Sequence, residues 1–116
     1  MSLHLRPGQA LKLWHDSVLD LVHLDESGLT VRQLSILLTV YLELPPHTVR
    51  GVAQKLKVTK PVITRALDSL GRLELVARRR DPADKRNVLI QRTVKGALFV
   101  EKLGDFMVSR AQTLPS

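Results

Sequence analysis

Leu11, Trp14, Val18, Leu21 and Val22 recur at helical spacing through QALKLWHDSVLDLVHL, residues 9–24, while Lys12, His15, Asp16 and Asp20 fall largely off that stripe. A helix is expected there, with Pro7 and Gly8 at its start and a break at DESG, residues 25–28. VRQLSILLTVYLEL, residues 31–44, is apolar on much of its surface and reads as the central core helix. Thr30 is its cap, and Gln33 supplies the reciprocal half of a capping box. Pro45 and Pro46 stop it, because neither has the N–H that a helix needs and Pro45 drives Leu44 out of the helical region.

A short helix follows in TVRGVAQKL, with Thr48 as cap and Val49, Val52, Ala53 and Leu56 inward. KVT, residues 57–59, makes a turn; Thr59 then caps KPVITRALDSLGRL, where Pro61 sits harmlessly in the first turn. Ile63, Ala66, Leu67 and Leu70 form the buried side, and Lys60, Thr64, Arg65, Asp68 and Ser69 the open one. Two helices on a tight turn fit a helix-turn-helix and an ordinary helical hairpin equally.

The next segments shift that balance. LVARR (75–79) and NVLIQR (87–92) are β-prone, and Asp81–Pro82 between them favours a turn, so the arms can pair as a hairpin. Thr93 caps a last helix, VKGALFVEKLGDFMVSR, with Val94, Leu98, Val100, Leu103, Phe106 and Met107 as apolar contacts. Gly96 and Gly104 each weaken it by about 1 kcal/mol relative to Ala, so it should lean on a neighbour. The order is that of a winged helix: a mainly α fold with a small β-hairpin wing, flanked by terminal dimerisation helices. We expect a single domain over 1–116, with the helix-turn-helix and wing over 29–93 and terminal helices over 5–25 and 94–110.

Charge sharpens the picture. Residues 47–92 hold twelve Lys and Arg against four Asp and Glu, net +8, and the rest of the chain is net −1. A field so concentrated suits nucleic acid, an acidic membrane or an acidic protein. The 116 residues lack cysteine, which removes disulfides and thiolate metal sites. No leader-like or membrane-spanning apolar run is present in the sequence, and a soluble cytoplasmic protein is expected. The four histidines are poorly spaced for ligation: His15 and His23 stand eight apart on one helix, and no metal or other cofactor is expected. Neither a nucleophile in a recognisable setting, a phosphate-cradling loop nor a carboxylate pair in a cleft is legible, so the chain does not read as an enzyme.

From about Leu29 to Val108 the chain resembles the MarR-type winged-helix transcriptional regulators. The resemblance is most specific in TRALDSLGRLELVARRRDPADKRNVLIQRTVKG, through Thr64, Arg65, Leu67, Asp68, Leu70, Leu75, Val76, Arg78, Arg79, Asp81, Pro82, Asp84, Arg86, Thr93 and Gly96. It implies a homodimer on a roughly palindromic duplex, with recognition helices in successive major grooves and wings on minor groove or backbone. In many relatives a small apolar molecule or a cysteine oxidation alters DNA affinity. Here no residue pattern names a small-molecule or protein effector, and thiol sensing is excluded. Two further departures stand out. Glu74 replaces a Gly that relatives use for a left-handed backbone, a conformation it must bear unless Gly71 ends the helix early, and relatives carry an extra C-terminal helix, so a smaller or differently built dimer contact is expected.

Residue by residue, Lys60, Pro61, Val62, Thr64 and Arg65 are candidates for the groove, Arg65 by a forked contact to guanine. Its competing reading is a phosphate contact or a pair with Asp68. Arg50 and Lys57 are candidate backbone anchors. In the wing, Arg86 suits a narrow minor groove, or a salt bridge to Asp84 or Asp81 that holds the loop. Arg78, Arg79 and Arg80 alternate faces and, with Lys85, offer phosphate contacts; Asp81, Pro82 and Asp84 shape the turn. Leu11, Trp14 and Val18, with Leu98, Phe99, Leu103 and Phe106, are the candidate dimer seam. The expectation is a dimeric, sequence-specific binder of double-stranded DNA, most simply a repressor. The alternatives are a winged-helix module docking an acidic protein, or a non-specific architectural DNA binder.

Overall fold

In the computed structural model, which describes residues 4–24 and 28–115, Thr30 makes both halves of the expected capping box. Its Oγ1 accepts from the Gln33 N–H at 3.1 Å, and Gln33 Oε1 accepts from the Thr30 N–H at 2.9 Å. Residues 25–27, in the expected break, and with them Asp25 at the expected end of the first terminal helix, lie outside the described residues. The elements run α1 (Pro7–Leu24), α2 (Val31–Leu42), β1 (His47–Thr48), α3 (Val49–Leu56), α4 (Lys60–Arg72), β2 (Val76–Arg80), β3 (Val88–Arg92) and α5 (Val94–Gln112). The chain divides into two compact units, residues 29–100 and residues 1–28 with 101–116.

In the 29–100 unit the core is built from Ile36, Leu37 and Val40 of α2, the inward positions of α3, and Ile63, Ala66, Leu67 and Leu70 of α4. For α3 and α4 those are the positions the helical periodicity places inside. Leu75, Val76 and Ile90 close it from the sheet. Two expectations are corrected. α2 ends at Leu42, not Leu44, because Glu43 already turns extended as the chain approaches the two prolines. Val31 and Leu42 of α2, and Val94 of α5 at 79 % exposure, lie at helix ends beyond the reach of the core and stay in solvent. The expected hairpin forms from β2 and β3, and β1 joins it antiparallel to β3, His47 opposite Ile90, giving a three-stranded sheet in the order β1-β3-β2.

The end of α4 determines how the wing leaves the helix. The Glu74 N–H donates to the Gly71 carbonyl and the Leu75 N–H to the Leu70 carbonyl, the paired bonds of a Schellman cap. Glu74 accordingly adopts the left-handed conformation, φ 62°, where a side chain is disfavoured. Its carboxylate makes only a long 3.9 Å contact to Lys95 across exposed surface. Glu74→Gly is therefore expected to stabilise the fold by about 1 kcal/mol, read as a higher urea midpoint with an unchanged slope. A lower midpoint would show that the Lys95 contact outweighs the backbone strain.

Above this junction the Tyr41 hydroxyl donates to the Leu75 carbonyl at 2.7 Å and accepts from the Thr93 N–H at 2.8 Å. Thr93 Oγ1 donates to the Glu74 carbonyl at 2.8 Å and accepts from the Gly96 N–H at 2.9 Å, so it caps α5 as expected. Arg92 turns inward too: it donates to the carbonyls of Val40 (2.8 Å) and Glu43 (2.9 Å), and its guanidinium stands 5.8 Å from the Tyr41 ring centre. One of the twelve central cations thus closes the C-terminal end of α2, where positive charge is favoured.

In the other unit, the half-buried Leu13, Val18, Leu21, Leu24, Leu103 and Phe106 supply apolar contact. The expected stripe on α1 is corrected: Leu11 and Trp14 are 67 % and 54 % exposed, whereas Asp16 is buried. Asp16 tolerates that position because Lys12 and His15 both reach its Oδ1 at 3.1 Å. Hydrogen bonds from His15 and then Lys12 hold its carboxyl below the usual range. Asp20 is likewise depressed, by a two-pronged contact from Arg110 at 2.9 and 2.8 Å.

Candidate nucleic-acid interface

α3 and α4 meet through a turn in which Lys57 takes a left-handed conformation, φ 58°. This closes α3 by bonds from the Lys57 and Val58 N–H groups to Gln54 and Ala53, and aims the chain into α4. Thr59 occupies the N-cap position, but its side chain makes no capping bond, contrary to expectation. The N–H groups of the first turn of α4 lack that side-chain acceptor, and Pro61 among them has none to satisfy.

With one side of α4 committed to the core, Lys60, Pro61, Thr64 and Arg65 are exposed, and Val62 and Asp68 are half-buried. Lys60, Thr64 and Asp68 follow one another at intervals of four, with Arg65 beside them, so they share a face. The base of the wing adjoins that face. Arg78 Nη2 of β2 donates to Asp68 Oδ1 at 2.7 Å, and an open cleft of about 630 Å³ lies between Asp68, Gly71 and Arg72 on one side and Val76, Ala77 and Arg78 on the other.

Along the wing the pleat sorts the cations. Arg78 lies opposite buried Ile90 and Arg80 opposite Val88, on the inner face, while Arg79 opposite Leu89 points the other way. Arg80 donates to the Lys85 carbonyl at 2.7 Å. Arg79 and Lys85, like Arg50, Lys57, Lys60 and Arg65, are exposed and make no side-chain hydrogen bond or salt bridge among the described residues.

The tip is held by its acids. Asp81 Oδ1 accepts from the Ala83 N–H at 2.9 Å, and Asp84 Oδ1 from the Arg86 N–H at 3.1 Å. Arg86 closes a fork onto Asp84, Nε to Oδ1 at 3.1 Å and Nη2 to Oδ2 at 3.3 Å, yet its side chain is 86 % exposed. Of the two acids offered to Arg86 by the sequence, Asp84 takes it. The Arg86 side chain, then its backbone N–H and the nearby charge of Arg50, hold the Asp84 carboxyl below the usual range. Arg50 at the start of α3 and the tip of the wing are thus electrostatic neighbours.

Of the expected seam, Leu11, Trp14 and Leu98 are exposed, and Val18, Leu103 and Phe106 are half-buried. Phe99 packs against the core of the 29–100 unit. Sequence reasoning missed the Arg92–Tyr41 lock and strand β1. Tyr41 reads along the chain as one more apolar position of α2, so nothing pointed to the former, and the latter is only two residues long. Among the described residues no group of three or more His, Asp or Glu is placed to hold a metal ion, and no helix is long and apolar enough to cross a membrane.

Among solved structures, a S. aureus MepR mutant bound to an oligodeoxyribonucleotide superposes with a TM-score of 0.79 at 26% identity, over 90% of this chain and 75% of that one. The transcriptional regulator BldR from Sulfolobus solfataricus is 31% identical over 70% of this chain and 57% of its own, with a TM-score of 0.59. The crystal structure of MarR matches with a TM-score of 0.62 at 26% identity, over 74% of this chain and 61% of that one. No curated protein matches the chain. A model of the MarR family covers residues 27–87, which take in the helix-turn-helix and the wing to its tip. With α3, α4, β2 and the Asp84–Arg86 fork inside that match, the chain belongs to the MarR family of winged-helix DNA-binding regulators, which are not catalysts.

Proposed function

We propose that the chain is a cytoplasmic, dimeric repressor that reads double-stranded DNA with α4 and grips it with the wing, blocking the transcription machinery by occupancy. The observation that carries the reading is the junction of the free face of α4 with the base of β2 through Asp68 and Arg78. It joins the helix face that carries Lys60, Thr64 and Arg65 to the base of the wing that carries Arg79, Lys85 and Arg86. In this reading Arg65 makes the forked base contact, with Lys60 and Thr64 on base edge or phosphate and Pro61 and Val62 beside a thymine methyl. Arg50, Lys57, Arg79 and Lys85 meet phosphate, and Arg86, aimed by Asp84, enters the minor groove. Arg78 and Arg80 add positive field from positions tied back to the protein.

Dimerisation uses apolar side chains left uncovered in the single chain, among them Leu11 and Trp14 of α1 and, in the 29–100 unit, Leu98 of α5, since exposed apolar area favours a second copy. The test is binding of labelled duplexes selected from a random library, with sedimentation alongside. Arg65→Ala and Arg86→Ala are each expected to lose about 1–3 kcal/mol of affinity for a selected duplex, Arg65→Ala with relaxed preference at one base position. Wild-type affinity in both variants would remove the assigned roles. Equal binding of scrambled duplexes would favour an architectural role, and a 13.0 kDa species alone would remove the dimer.

A further inference from the structure

Asp68 is an acid among cations on the free face of α4, and two of those cations stand at helical contact distance along the chain. Arg65 lies three positions before it and Arg72 four after, spacings at which opposite charges pair. Neither takes it. Arg72 donates to Ser69 Oγ at 3.3 Å, and Asp68 Oδ1 goes to Arg78 Nη2 of β2 at 2.7 Å. Arg65 is left exposed and unpartnered among the described residues.

We propose that Arg78 is a positioning residue: by holding Asp68 it keeps that carboxylate from capturing Arg65, and so leaves the Arg65 guanidinium free to reach a base. The inference rests on the reading role given to α4 above. Arg78 is suited to the task by its place in the sheet. It lies opposite buried Ile90 on the inner face, its side chain only 35 % exposed, whereas Arg79 points to the other face and cannot substitute. Without Arg78, two cations stand at pairing distance along the helix: Arg72, which is engaged with Ser69 Oγ, and Arg65, which has no side-chain partner among the described residues. The pairing that blocks DNA reading is one that helix spacing permits.

The probes are duplexes enriched from a random library by the wild-type protein and scrambled duplexes of equal length. Arg78→Gln is expected to lower the ratio of selected to scrambled affinity about fivefold, the scale of one exposed ion pair formed in the wrong place. Arg78→Gln combined with Asp68→Asn keeps the wild-type net charge and has no carboxylate to trap Arg65. Its ratio should return to within about twofold of wild type, a coupling that independent sites would not show. If Arg78 instead acts by touching DNA directly, the double variant binds no better than Arg78→Gln, and the proposal fails.

The Nε–H resonance of Arg65 in the free protein reads the same exchange without DNA. Ordering of that group in Arg78→Gln, absent from wild type and the double variant, supports the proposal; an Arg65 signal indifferent to Arg78 overturns it. A wild-type protein that enriches no duplex removes the DNA reading and with it the role of Arg78. The resonance would still show whether Asp68 changes partner, so the two failures are distinguishable.

Discussion

Gly96→Ala is expected to lower the thermal midpoint by about 12 °C, although helix propensity argues for the opposite sign. A methyl group in the interior of a helix is worth about 1 kcal/mol over glycine when it meets nothing. At Gly96 it meets the Tyr41 hydroxyl and the Leu75 carbonyl oxygen, both nearer than a carbon atom can tolerate. Those two atoms are hydrogen-bonded to each other, and the hydroxyl also receives the Thr93 N–H. Making room for the methyl means displacing the ring or parting the bonds. Overpacking of this kind costs about 1–3 kcal/mol, and a buried carbonyl or N–H left unpaired costs about 1–3 more. A net loss near 3 kcal/mol follows, at about 4 °C per kcal/mol for a chain of this length. Gly104→Ala is the control. A methyl group there would have no neighbouring atom within 4 Å, and the same substitution should raise stability by about 1 kcal/mol. Calorimetry on both variants decides it, and a Gly96→Ala midpoint at or above wild type would refute the close approach.

The pair of glycines also shows where sequence reading loses its grip. Along the chain Gly96 and Gly104 are equivalent helix-weakening residues, and nothing in the local pattern says that one is a site of contact. The distinction depends on Tyr41, far away in sequence, whose hydroxyl has no periodicity to betray it. α3 and α4 were legible for the opposite reason. Their apolar positions repeat at short range, Thr48 accepts from Gly51, and the buried set Ile63, Ala66, Leu67 and Leu70 is the one that spacing selects. β1 escaped because two residues cannot show an alternating pattern, and its membership of the sheet is written in Ile90 and Leu89 of β3 instead.

The same division holds at the interface. That the basic residues cluster was plain in the sequence, but their engagements were not. Twelve cations look alike as a string, whereas in space Arg92 is turned onto α2, Arg78 and Arg80 are tied back, Arg86 is braced by Asp84, and Arg65 is left clear. Net charge bounds the field at long range, and the hydrogen bonds decide which cations can come down onto a phosphate.

That sorting gives the binding reaction its expected salt dependence, the largest effect in the system. Raising monovalent salt from about 50 to 200 mM is expected to weaken binding to a selected duplex about a thousandfold. Of the exposed basic-region cations that make no side-chain hydrogen bond or salt bridge among the described residues, the five besides Arg65, namely Arg50, Lys57, Lys60, Arg79 and Lys85, are in the class that releases counterions from phosphate. If three of the five do so in each chain of a dimer, about six phosphates are neutralised and the logarithmic slope is near −5. Lys57→Ala, deleting one contact per chain, should make that slope shallower by about 2 and weaken selected and scrambled duplexes alike. Arg65→Ala should leave the slope nearly in place and lower only the preference, because a base contact displaces few ions. Titrations at three salt concentrations separate the cases. A wild-type slope shallower than about −2 would mean that these cations do not lie on the backbone, and an Arg65→Ala slope that moves as far as that of Lys57→Ala would make Arg65 a phosphate anchor rather than a reader.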